Sequence, residues 1–161
     1  MKKEHTCCFT GHRSIPLNQY TKIQNILEKA VIRLIDSGVC YFGTGGALGF
    51  DTMAALTILN LKEKYPNIKL ILVLPCKNQT YNWSIKDKQL YDFIKSKCDK
   101  YVYTSKQHYN GCMIKRNRHL VNNSKYCICY LTKKSGGTAY TVNYAKSNGL
   151  LIYNVAEEIN G

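Results

Sequence analysis

Four short segments of the chain carry residue types suited to holding an anion. The first is Thr10-Gly11-His12-Arg13. Gly11 lets the chain turn sharply. Arg13 offers a forked guanidinium that grips a phosphate or carboxylate with two donors. His12 is a donor, or an acid or base, near neutral pH. The second is Gly43-Thr44-Gly45-Gly46-Ala47-Leu48-Gly49-Phe50-Asp51. A glycine-rich loop between a strand and a helix presents backbone N–H groups to phosphate. It is not a P-loop, because no Lys-Ser/Thr pair follows Gly49, and its G-x-G-x-x-x-G spacing is not the dinucleotide fingerprint. Asp51 reads first as a helix cap and second as an acceptor for a ribose hydroxyl. The third segment, Met113 to His119, holds two of the four arginines, with Arg116 and Asn117 as the candidate contacts. The fourth is Lys133-Lys134-Ser135-Gly136-Gly137-Thr138, a glycine pair with flanking hydroxyls and lysines. Trp83, the sole tryptophan, either stacks on a base or packs in the core.

The elements that must position these loops follow from the apolar pattern. Strand-like runs at 6–10, 39–42, 68–74, 100–104, 126–131 and 150–153 alternate with helical segments at 17–36, 51–64, 83–97, 111–123 and 138–147. In 83–97, Trp83, Ile85, Leu90, Phe93 and Ile94 fall on or near one face. Alternation of this kind predicts an α/β fold, a Rossmann-like doubly wound parallel sheet. In such a sheet, ligands bind beyond the carboxyl ends of the strands. The four segments are the loops at those ends, or the helix opening beside them. The length of 161 residues suits one domain.

The formal charge is +13, from 23 Lys+Arg against 10 Asp+Glu. Residues 1–60 contribute +2 and residues 61–161 contribute +11. A basic surface favours anionic partners. Nineteen of the cations are lysines, however, and AT-rich coding supplies lysine without selection for a partner. Lysine is also the weaker bidentate phosphate reader. Eight cysteines do not imply a disulfide scaffold at this length. Cys7, Cys8, Cys40, Cys127 and Cys129 lie in apolar runs, where a free thiol acts as a small hydrophobe. The Cys127-Ile-Cys129 spacing is too short for zinc, so no metal is expected. No cofactor, no membrane span and no signal peptide are expected, and the expected location is the cytoplasm.

In their order, Thr10-Gly11-His12-Arg13, Gly45 to Asp51, Arg116-Asn117-Arg118 and Ser135-Gly136-Gly137-Thr138-Ala139-Tyr140-Thr141 resemble the SLOG superfamily, in its YpsA-like branch. The resemblance implies a nucleotide or nucleotide-derived ligand at the strand ends, ADP-ribose-related signals included, held by a sensor or a sequestering module. It also implies self-association as a homo-oligomer. Related phosphoribohydrolases carry a P-G-G-x-G-T-x-x-E loop, and the position of its glutamate is Asn143 here. Asparagine does no carboxylate chemistry. Hydrolysis of a nucleoside 5′-monophosphate is therefore the alternative reading, and single-stranded nucleic-acid binding through the basic half is the second alternative.

Overall fold

The computed structural model describes residues 2–159. Six strands form one parallel sheet: β1 (Thr6–Gly11), β2 (Tyr41–Thr44), β3 (Lys69–Leu74), β4 (Lys100–Tyr103), β5 (Tyr126–Tyr130) and β6 (Leu151–Asn154). The helices between them are α1 (Tyr20–Asp36), α2 (Phe50–Leu61), α3 (Ile85–Lys97), α4 (Cys112–Asn122) and α5 (Gly137–Ser147). A one-turn helix, α6 (Val155–Glu158), follows β6. The strand order is β4-β3-β2-β1-β5-β6. The chain winds outward from β1 to β4, then returns to the other side of β1. The order reverses between β1 and β5, whose registry pairs Cys8 with Cys127 and Gly11 with Tyr130. The loops leaving these two strands diverge to opposite faces and open a crevice between them.

Alternate strand residues serve two cores. Phe9, Phe42, Leu70, Leu72 and Ile128 pack with α1, α2 and α3 on one face. Cys8, Ile71, Val73, Cys127 and Cys129 pack with α4 and α5 on the other. Helix α2 is apolar almost all round because α1 and α3 flank it while the sheet lies beneath. Aromatic stacking stiffens this first face: Phe9 lies 6.1 Å from Phe42, and Phe50 lies 6.0 Å from Tyr130. The eight cysteines are all free thiols. Among the described residues no helix is long and apolar enough to cross a membrane.

Three local expectations are corrected. The segment 17–19 is a separate 3-10 turn with Leu17 in solvent: Pro16 before it is extended, at ψ 128°, and Gln19, at φ −113°, interrupts the helical path ahead of α1. Strand β2 is shifted two residues toward the glycine loop, since its pairing to β1 reaches Gly43 and its pairing to β3 reaches Thr44. In α3, Ile85 is 77% exposed and Phe93 49% exposed, so neither sits on the buried face. Ser84 caps that helix by accepting from the Asp87 N–H at 3.1 Å, and Ile94 is its buried residue.

Candidate functional site

The site is built where β1, β2 and β5 end. The residues after β1 run directly against the start of α2: the Phe50 N–H donates to the His12 carbonyl at 3.1 Å. Gly49, with φ +79°, makes this approach possible, because any side chain there would collide with the Arg13 and His12 carbonyls. His12 then ties the β1 loop to the β5 loop. Its Nε2 accepts from the Thr132 N–H at 2.9 Å, so the proton of the neutral ring sits on Nδ1. Partial burial, and then the charge of Lys133, hold the imidazole below its ordinary pKa.

Arg116 is buried, at 4% exposure, and three of its five N–H donors meet protein groups. Nε bonds Asn117 Oδ1 at 2.7 Å, Nη1 bonds the Gly45 carbonyl, and Nη2 meets Met113 Sδ at 3.7 Å. A Cβ on Gly45 would overlap the guanidinium and push it from this seat. Asp51, 6% exposed, turns back from the first turn of α2 to accept from the Ala47 N–H at 3.2 Å. Burial raises the Asp51 carboxyl pKa, opposed chiefly by the Arg116 charge. The same burial lowers the Arg116 pKa, opposed by Asp51. The two buried charges thus brace the glycine-rich loop from both ends.

Around this frame lies a cavity of about 330 Å³. Of the residues expected from the sequence, Gly11, His12, Arg13, Ala47, Asp51, Arg116, Asn117, Ser135, Gly136, Gly137 and Thr138 line it. Thr10, Met113 and Lys133 line it as well. Gly136 precedes α5 with φ +101° and no side chain caps that helix, so the opening turn of α5 faces the cavity. Gly46 and Gly49 belong instead to an adjoining cavity of about 300 Å³, which shares Arg13 and Asp51 with the first. Trp83 lines this second cavity, edge-on to Tyr91 at 5.5 Å. Gly45 lines neither cavity and lies against Arg116. Sequence reasoning missed Tyr91, whose hydroxyl is buried without a hydrogen bond within the protein, as is the nearby Gln79 amide. Burial pushes the Tyr91 phenol pKa well up. Its only sequence signal is its place beside Leu90 on the inward side of α3.

This arrangement can neutralise and cradle an anion. Arg13 and Lys133 supply charge, and the start of α5 supplies backbone donors and a favourable dipole. Asp51 is the sole carboxylate lining the first cavity, and Asn143 is exposed on α5 outside it.

Comparisons with known proteins agree with this architecture. The model of the YspA SLOG family (YpsA) matches residues 7–152. The uncharacterized SPbeta prophage-derived protein YoqJ of Bacillus subtilis is 31% identical over 142 residues, covering 80% of this chain and 83% of that protein. A UPF0398 protein of Halalkalibacterium halodurans is 30% identical over 139 residues, covering 84% and 71%. Among solved structures, DNA processing protein A of Streptococcus pneumoniae aligns with a TM-score of 0.67 at 17% identity, over 94% of this chain. The chain spans half the length of that protein. The Helicobacter pylori DNA processing protein A, whose structure describes a single-stranded DNA binding mode, aligns at 0.62 with 14% identity, over 99% of this chain and 80% of that one. The family match spans nearly the whole parallel sheet and all four loop segments, and the chain belongs to the YspA SLOG family.

Proposed function

We propose that the cleft between the β1 and β5 ends binds a nucleotide-class ligand, with its phosphate at the start of α5 and its base in the adjoining cavity beside Trp83. The observation that carries this reading is convergence. Arg13, Lys133 and the uncapped start of α5 line one cavity at the point where the strand order reverses. Arg13 and Asp51 also line the second, more apolar cavity, so a ligand with a phosphate and a ring has a place for each. Tyr91, packed edge-on against Trp83, walls that place with a second ring. Binding without cleavage fits the lining, since the carboxylate that hydrolysis needs is replaced by the exposed Asn143. The protein then acts as a sensor or a sequestering module.

Calorimetry against ADP-ribose, its cyclic forms, NAD and nucleoside monophosphates tests the proposal. Micromolar binding of at least one is expected. Arg13→Ala and Lys133→Ala should each weaken it roughly tenfold, in line with the loss of one charge-assisted hydrogen bond. Because Trp83 is the sole tryptophan, occupancy of the second cavity should quench the intrinsic indole fluorescence. Absence of binding across the panel overturns the reading. Chromatography of a nucleoside monophosphate after incubation should return it intact.

A further inference from the structure

The chain carries no Asp or Glu between Asp99 and Glu157, while the same stretch carries nine Lys and Arg. In space this stretch is β4, α4, β5, α5 and β6, so the two helices on one face of the sheet have no acidic residue. All ten carboxylates lie on the other segments. AT-rich coding explains an excess of lysine over arginine. It does not explain the absence of acids from one face, since aspartate and glutamate codons are no poorer in A and T than those of the glycines and alanines found there.

Between edge strand β4 and α4 this face holds a groove of about 540 Å³. Its lining includes Lys115, Arg118 and His119 and contains no carboxylate. Aromatic rings alternate with these cations. Tyr109, 45% exposed, stands at one wall of the groove. Arg118 sits 5.7 Å over Tyr140 and 5.3 Å over Tyr144, and its Nε donates to Tyr140 Oη at 2.9 Å. Cations spaced among exposed rings suit a flexible polyanion whose bases stack, and the binding would be sequence-tolerant. A lipid surface would be met by a broad apolar stripe, whereas the outer side of α4 is polar apart from Ile114.

We propose that the β4–α4 groove is a docking surface for single-stranded nucleic acid, separate from the strand-end cleft. Lys106 lies in the exposed loop between the groove residues Thr104 and Tyr109, and none of Lys106, Lys115, Arg118 and Tyr109 lines either strand-end cavity. The test is fluorescence anisotropy of the full chain with labelled 20-mer oligothymidine and oligouridine at 50 and 200 mM salt. Affinity should fall as salt rises, with the logarithmic slope shallower by about 0.7 for each cation removed. Lys115→Glu/Arg118→Glu should lose more than tenfold in affinity. Lys106→Glu/Lys115→Glu, which breaks no side-chain hydrogen bond, should do the same if the first variant folds poorly. Lys86→Glu/Lys88→Glu on α3 makes the same charge change on the opposite face and should lose far less. Tyr109→Ala should weaken binding about fivefold or more at constant charge. Equal losses from the α3 and α4 variants would show unspecific attraction and overturn the proposal. So would no oligonucleotide binding, or binding only to vesicles of phosphatidylserine and phosphatidylcholine. The α4 variants should keep the calorimetric nucleotide binding, so the two sites fail separately.

Discussion

The two faces of the sheet solve different problems. The face carrying α1, α2 and α3 is packed with large side chains, Phe9, Phe42, Phe50, Ile23, Leu27, Met53 and Ile58 among them, and its helices carry carboxylates. The face carrying α4 and α5 is packed with smaller groups, chiefly Cys8, Cys127, Cys129, Val73, Val121, Val142 and Ala145, and its helices carry none. Small buried groups remove less apolar area from water, so each contributes less stability. The first face holds the molecule together. The second sacrifices part of that stability for a positive surface, whose like charges repel one another.

Paired substitutions in the two cores give the largest expected difference. Phe42 is fully buried in β2, and Phe42→Ala should cost about 3–5 kcal/mol, from lost transfer energy plus a cavity. Val142→Ala in α5 should cost about 1 kcal/mol, since one small buried side chain is trimmed by two methyl-sized groups and its neighbours are small. Urea denaturation of each variant measures the gap. Equal costs would mean that the second core is as tightly packed as the first.

The seam between the faces should respond next most strongly. Arg116 comes from α4 on the second face, and Asp51 comes from α2 on the first. Arg116→Met should destabilise by about 3 kcal/mol, because it leaves the Asp51 charge buried with weaker compensation. It also strands the Gly45 carbonyl, so nucleotide binding should suffer through the glycine-rich loop even though the guanidinium need not touch ligand. Asp51→Asn in the Arg116→Met background should recover part of the stability, as a double-mutant cycle would show. Additive costs would mean that the two charges do not brace the loop together.

How much of this was legible in the sequence depended on whether the signal was local. The strand–helix alternation and the glycine loops are local patterns, and they led to the parallel sheet and to most of the residues around the first cavity. Arg116 was legible as a site residue, but its burial was not. A basic run such as Lys115-Arg116-Asn117-Arg118 does not reveal which member turns inward, because that depends on Gly45 lying 71 positions earlier in the chain. Phe93 was expected on the inner side and Tyr91 packs there instead for a similar reason: helical spacing admits both, and packing against the core selects Tyr91. The acid-free face was present in the sequence as a gap from Asp99 to Glu157, but only the topology shows that the gap is a surface.

The smallest expected effect concerns His12, which joins the β1 and β5 loops and so fastens the two faces at the cleft. Its acceptor bond from Thr132 requires a neutral ring, and partial burial with Lys133 nearby favours that form. The pKa of the folded state is therefore below the ordinary histidine value of about 6.5. As pH falls through 6.5, the unfolded chain takes up the proton first, so stability declines from there toward the folded-state pKa and levels off below it. His12→Gln lacks this titration. The stability difference between the natural chain and His12→Gln should thus shrink between pH 7.5 and 5.5, and the ring signals of His12 should titrate below 6.5 in magnetic resonance spectra. A bound phosphate would oppose the shift by placing negative charge beside the ring, so saturating nucleotide should move the titration upward. An unchanged midpoint with ligand bound would place the phosphate away from His12 and toward the second cavity.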